Sequence, residues 1–188
     1  RYGPGAIATS LEQGAEILYV IGGLYGNLPA LEAIEALAGR ERGPVTLCFN
    51  GDFNWFNIDD DSFMTVNNAV LAHHAMLGNV EAELIAPDDE AGCGCAYPDG
   101  VDAGVVERSN RIHAQLKSTA LKHPDTTEAL RRLPMLRRYR VGNSTIGVVH
   151  GDAHSLAGWG FDVTALDDRQ NHDWIVDSFR QAAVDIFA

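Results

Sequence analysis

Four apolar runs in this chain each stop at a short stretch rich in glycine and polar side chains, and that recurring junction constrains the fold more than any bulk property. Ile17-Leu18-Tyr19-Val20-Ile21 runs into Gly22-Gly23-Leu24-Tyr25-Gly26-Asn27, and Val45-Thr46-Leu47-Cys48-Phe49 runs into Asn50-Gly51-Asp52. Ala75-Met76-Leu77 precedes Gly78-Asn79-Val80-Glu81, and Thr145 to Val149 precedes His150-Gly151-Asp152. Short apolar runs bounded by turn residues read as buried strands. In an open α/β sheet, ligands bind beyond the carboxyl ends of the strands, so side chains distant in sequence gather where each follows a strand. Asp52, Asn79 and His150 are then the chemistry of one shared edge.

Between the junctions the pattern is helical. Asn27 is a good N-cap and Pro29 suits a first turn, after which Leu28, Leu31, Ile34 and Leu37 recur at helical spacing until Gly39. A second helix is expected from about Ser62 through His74, with Phe63, Val66 and Val70 as its apolar stripe. Alternating strands and helices of this kind imply βαβ connections and a largely parallel sheet. Residues 87–104 read as one long loop containing Gly92-Cys93-Gly94-Cys95, and long loops are often functional. Helical periodicity resumes from about Val101 to Lys122, and a shorter helix from about Thr127 to Leu133 stops before Pro134. Two strand-like runs, Leu136 to Val141 and Thr145 to Val149, flank Gly142-Asn143-Ser144, which has hairpin-turn composition. A helix from about Asp173 to Ala183 and the start of another strand at Val184 complete the chain. No second boundary stands out, so residues 1–188 read as a single domain.

Composition narrows the partners. A formal net charge of −12 makes broad contact with nucleic acid or an anionic membrane electrostatically unfavourable. A small phosphate ester remains compatible with that charge if a metal ion holds it. No apolar run approaches the ~20 residues needed to span a bilayer, so a soluble, cytoplasmic protein is expected. The three cysteines, Cys48, Cys93 and Cys95, are too few and too unevenly spaced for a secreted disulfide framework, which fits a reducing compartment.

A carboxylate, a neutral amide oxygen and an imidazole together suit one divalent transition ion. The order of these groups after successive strands resembles the calcineurin-like metallophosphoesterases, in the small bacterial phosphodiesterase-like branch. The resemblance covers nearly the whole chain. Val20 to Leu31 looks like that family's Asp-x-His-Gly-Asn junction and its helix, and Asn50-Gly51-Asp52 like its Gly-Asp. Gly78-Asn79-Val80-Glu81 looks like Gly-Asn-His-Asp/Glu, and Val148-Val149-His150-Gly151 like its later His-Gly. The resemblance implies a four-layer α/β/β/α sandwich whose last strands lie beyond Ala188. It also implies a phosphomonoesterase or phosphodiesterase using a Mn-, Fe- or Zn-type ion. Family members clamp a phosphate and activate a water with two metals. By that pattern Asp52, Asn79 and His150 are ligands.

The departures from the pattern change the expectation. The family's first Asp falls on Gly23, its first His on Tyr25, and its third-junction His on Val80. A phenol ligates a divalent ion poorly at neutral pH and valine transfers no proton, so one metal is expected rather than two. The closing Gly-His-x-His pattern does not occur before the sequence stops at Ala188. Tyr25, Asp152 and His154 are the candidates for hydrogen bonding to phosphate or for acid–base work. The rival expectation is a catalytically degenerate relative that binds a protein partner as a scaffold, and an oligomer fits either. Cys93-Gly94-Cys95 lacks thioredoxin or zinc spacing and reads as a structural loop. His73-His74 reads as two packed or exposed histidines on a helix, and Asp59-Asp60-Asp61 as an acidic helix start. Arg131, Arg132, Arg137, Arg138 and Arg140 read as a solvated basic face, or as a patch that meets an acidic surface or a phosphate.

Overall fold

A computed structural model describes residues 2–87, 92, 94–97 and 101–188, so Cys93, the acidic run 88–90 and the 98–100 turn lie outside the described residues. The fold is mixed α/β, with two sheets and eight α-helices among the described residues. The order is α1 (Pro4–Thr9), β1 (Glu12–Gly14), β2 (Ile17–Ile21), α2 (Leu28–Ala38), β3 (Val45–Phe49), α3 (Asp60–Val70), β4 (His74–Ala75) and α4 (Asn79–Leu84). Then come α5 (Ala103–Ala120), α6 (Pro124–Arg131), β5 (Leu136–Val141), β6 (Ser144–Val149), α7 (Val163–Asp167), α8 (His172–Ala182) and β7 (Ile186–Phe187). No helix of the described residues is long and apolar enough to cross a membrane.

One sheet is parallel throughout, in the order β2-β3-β4, with Ile21 opposite Phe49 and Phe49 opposite Ala75. Gly22, Asn50 and Met76 therefore leave the same edge. The second sheet, β1-β5-β6-β7, is mixed: β5 and β6 form an antiparallel hairpin, while β1 and β7 lie parallel to their neighbours. Asn50 Nδ2 donates to the Val149 carbonyl at 2.9 Å, tying the end of β3 to the end of β6.

Strand periodicity sorts the core. Tyr19, Ile21, Leu47 and Phe49 point into a cluster with Leu31, Phe63, Val66, Leu116 and Leu130 from the helices. The alternate residues Leu18, Val20 and Cys48 join Tyr139, Ile146 and Val148 of the other sheet in a second cluster. Val149 packs with Ile7, Phe179 and Ala182 of α1 and α8 in a third. The helices begin where side-chain chemistry allows: Asn27 Oδ1 accepts from Ala30 N at 3.1 Å and Asp59 Oδ1 from Ser62 N at 2.9 Å.

Several expectations shift. The helix expected over 62–74 is α3, which ends at Val70, and His74 belongs to β4. Pairing of Cys48 with His74, and a 2.8 Å contact between His74 Nδ1 and the Tyr139 hydroxyl, outweigh local helical periodicity. The short helix expected from Thr127 starts earlier, at Pro124, whose fixed φ suits a first turn. α1, β1 and α7 carry too few periodic positions to be seen in the sequence. Of the arginines expected to share one basic face, Arg138 and Arg140 instead grip Glu12 and Arg137 donates to the Ala75 carbonyl, whereas Arg131 and Arg132 stand exposed on α6 beside Glu128. Phe49, fully buried at the end of β3, supports both the helical core and the junction that follows. Phe49→Ala is expected to cost about 3–5 kcal/mol, read from the urea midpoint.

Candidate functional site

Asp52, Asn79 and His150 converge. His150 Nε2 lies 3.0 Å from Asn79 Oδ1 and 3.4 Å from Asp52 Oδ1. Its Nδ1 donates to the Asn50 carbonyl at 2.7 Å, which orients the ring. These groups come from the ends of β3, β4 and β6, the shared edge expected from the junctions.

The backbone around them is unusual. Asp52 has φ 52°, a left-handed conformation rare for a non-glycine residue, and Gly51 before it has φ 73°. A Cβ on Gly51 would sit 2.4 Å from the Gly78 backbone and 2.9 Å from His150 Nδ1, so the two loops approach as closely as they do only because both residues are glycine. Glu81 holds this arrangement. Its fully buried carboxylate accepts from Asp52 N at 2.7 Å, Asn54 N at 3.0 Å and Gly78 N at 3.1 Å. Asp52 returns the contact by accepting from Val80 N at 3.1 Å.

Burial, then the Asp52 charge, push the Glu81 carboxyl up to about 7, against three backbone N–H groups that favour the anion. For His150, burial lowers the pKa but the bond to and charge of Asp52, the Asn50 carbonyl and Glu81 outweigh it, so the imidazole sits above its usual value. Both ring nitrogens face oxygen acceptors, which the imidazolium satisfies fully.

Tyr25 explains what became of Gly23. A Cβ on Gly23 would fall 2.4 Å from Tyr25 Cζ and 2.7 Å from its hydroxyl oxygen. The phenol ring therefore fills the volume that a side chain at position 23 would need. Burial, the Asp52 charge and Tyr97 raise the Tyr25 phenol above its usual value, keeping it a hydrogen-bond donor at neutral pH. Tyr25 itself adopts φ 51° and is 49% exposed at the rim of a cavity of about 620 Å³. Asp52, Asn79 and His150 line the same cavity.

Asp152 and His154 are not brought to it. The Asp152 carboxylate is consumed by its own loop, accepting from the N–H groups of His154, Ser155 and Gly160 at 2.8–3.0 Å. The His154 ring packs on Trp174 of α8 with centroids 5.2 Å apart. Val80, 1% exposed, lies in the helical core, and behind it buried His113 hydrogen-bonds the Val80 backbone. Glu81 escaped the sequence reading although a glutamate three residues into a helix is a recognisable capping signal. Cys95 and Trp159 also line the cavity, joined by a 3.3 Å bond from the indole N–H to the Cys95 carbonyl. Cys95 is disulfide-bonded, whereas Cys48 is free and buried.

The donor set fits one divalent ion. Bonds of about 2.1 Å place neighbouring ligand atoms about 3.0 Å apart at right angles and about 3.4 Å apart at the tetrahedral angle. The separations of 3.0 and 3.4 Å from Nε2 are compatible with those values, and are equally those of a hydrogen bond and an ion pair without metal. No cluster of three or more His, Cys, Asp and Glu suited to a metal occurs among the described residues, so any ion here depends on the Asn79 amide oxygen.

No protein-family model and no curated protein matches the chain. Among solved structures it is similar to the hypothetical protein PH1004 from Pyrococcus horikoshii OT3, with a TM-score of 0.45 and 22% identity. The match covers 72% of this chain and 56% of that protein, so the chain spans little more than half its length.

Glu81 binds its proton more tightly in the folded chain than in the unfolded one, where its pKa is 4.5. Its contribution to stability is therefore largest below pH 4.5 and declines as pH rises towards about 7. His74 and His113, lowered first by burial, act in the opposite sense near their unfolded value of 6.5, so the informative quantity is a difference. The stability of the wild type relative to Glu81→Gln, from urea melts in chelator, is expected to fall by on the order of 1–3 kcal/mol between pH 5 and 7. A difference that rises over that window would contradict the assignment.

Proposed function

We propose that the chain is a phosphate-ester hydrolase on the calcineurin-like metallophosphoesterase plan, with four layers in the order α/β/β/α and a single divalent ion. The observation that carries this reading is the meeting of Asp52, Asn79 and the Nε2 of His150 within 3.0–3.4 Å at the ends of three strands. The layer order is supported by three successive clusters: helices on the parallel sheet, sheet on sheet, and the second sheet on α1 and α8.

In this reading Asp52 supplies charge, Asn79 an amide oxygen and His150 its Nε2, while the Asn50 carbonyl holds Nδ1–H and fixes the tautomer. A Mn-, Fe- or Zn-type ion, when bound, supplies positive charge for the phosphoryl oxygens and acidifies water. Tyr25, protonated and facing the same cavity, donates to a phosphoryl oxygen of a phosphomonoester or phosphodiester. Its ring in the space of residue 23 favours one ion over two. Asp152 and His154 have no part in it, their polar atoms being committed elsewhere.

Val80 supports a second reading. An apolar side chain stands where the resembled family places a proton donor, which favours a binding protein that holds its ligand without turning it over.

Protein purified without chelator is expected to carry about one Mn, Fe or Zn per chain by elemental analysis, and to hydrolyse bis(4-nitrophenyl) phosphate with Mn²⁺. Asp52→Ala and His150→Ala should each lower kcat/KM at least ~100-fold. Metal-free, inert protein supports the binding reading, and unaltered activity in both variants would falsify the assigned site.

A further inference from the structure

The cavity wall is aromatic, and among its described residues it carries no lysine or arginine. Tyr25, Trp55, Phe56, Tyr97 and Trp159 all line it. Three of them stand partly in water, Tyr25 at 49%, Phe56 at 55% and Trp159 at 45% exposure. Large apolar rings left exposed around a concave site are the usual mark of a ligand surface. Tyr25 and Phe56 meet edge to face with centroids 6.5 Å apart, and Trp55 and Phe56 lie 5.7 Å apart. The Trp159 indole is held by the Cys95 carbonyl at 3.3 Å, and the Tyr97 hydroxyl lies 2.8 Å from Ser109 Oγ. Rings restrained in this way lose little freedom when a ligand stacks on them.

Charge adds a second constraint. A divalent ion held by the Asp52 carboxylate and two neutral donors would keep at most one net positive charge, so the site would offset no more than the single negative charge of a phosphodiester. Asp162 adds negative charge to the wall, and Glu81 turns to backbone N–H groups rather than to the cavity. A monoester dianion or a polyphosphate would bring charge that no described side chain of the wall offsets.

We propose that the ligand is a singly charged phosphodiester bearing a planar aromatic group, an aryl ring or a nucleobase, which stacks on the rim formed by Tyr25, Phe56 and Trp159. The ring part stands on the cavity wall alone, whereas the diester part rests on the phosphoesterase reading.

Ligand-detected NMR titration of the full chain in chelator, with adenosine, phenol and ribose as probes, tests the ring part without metal. Adenosine or phenol should bind saturably and ribose should not. Phe56→Leu and Trp159→Leu should each weaken binding about tenfold, the scale of one lost stacking contact, and Trp159→Phe should retain it. Binding of adenosine alone assigns a nucleobase, and binding of both rings assigns any aryl group. Ribose binding as well as the rings, or unchanged affinity in both leucine variants, overturns the ring part. With Mn²⁺, kcat/KM for methyl 4-nitrophenyl phosphate should exceed that for 4-nitrophenyl phosphate, and the reverse order overturns the diester part. Ring binding without hydrolysis of either ester leaves the stacking site standing and removes the phosphoesterase reading. Hydrolysis without ring binding removes the stacking site alone.

Discussion

The candidate site depends on the Glu81 carboxylate. Three backbone N–H groups from two loops end on its oxygens, at a position with no solvent exposure. Water cannot substitute there, so losing any of these bonds would strand a buried donor at a cost of about 1–3 kcal/mol. The clamp therefore over-determines the loop after β3 and makes the left-handed Asp52 affordable, since such conformations persist only where the surroundings enforce them. Buried amides extend the constraint: Asn54 and Asn67 exchange hydrogen bonds of 3.2 and 2.6 Å, fastening the same loop to α3. Rigid loops that present Asp52, Asn79 and His150 at fixed separations are what an ion site requires and what chance turns do not provide.

On the phosphoesterase reading, protons and a divalent ion would compete for one geometry here. Without the ion, a proton on His150 Nε2 sits between Asn79 and Asp52, and Glu81 tends to retain its own because burial, and then the nearby Asp52 carboxylate, disfavour its charged form. A cation at the same point would repel the proton on Nε2, attract both carboxylates' charge and lower the pKa of Glu81. The Asp52 charge contributes to both raised values, after burial in the case of Glu81. They mark where positive charge is wanted, and either a proton or a metal can supply it.

The strand-end junctions made this edge legible in the sequence. Apolar runs, glycines and the positions of Asp52, Asn79 and His150 were enough, because the parallel sheet sends the junctions after β3 and β4 to one side and the bond from Asn50 to the Val149 carbonyl sets the end of β6, in the other sheet, beside them. Sequence proximity misled where the chain turns sharply: Asp152 is two residues from His150, yet its carboxylate organises the following loop. Gly158 shows how tightly, since a Cβ there would lie 2.0 Å from Asp152 Oδ2. In the sequence β4 reads one residue late, as the run Ala75 to Leu77, because it has only two residues and follows a helix whose periodicity runs on into His74. The local capping bond from Gly78 N to Glu81 follows a recognisable pattern, but the bonds Glu81 accepts from Asp52 N and Asn54 N come from distant backbone that no local pattern records. The aromatic rim was hidden for the same reason, its rings arriving from four separate segments.

Gly23 and Tyr25 show two departures from the resembled family acting as one. Taken singly, Gly23 removes a ligand and Tyr25 replaces another. In three dimensions the end of the Tyr25 ring lies in the space that a Cβ at position 23 would occupy, so any side chain there would require the phenol to shift. An aspartate restored at 23 alone would meet the phenol before it met an ion. The exchange substitutes an apolar ring with one hydroxyl for a carboxylate and an imidazole. That lowers the charge available to a second cation while adding surface on which a flat ligand can lie. On the phosphoesterase reading, a cavity altered in this direction would gain surface for aromatic groups through the same change that costs it a metal ligand.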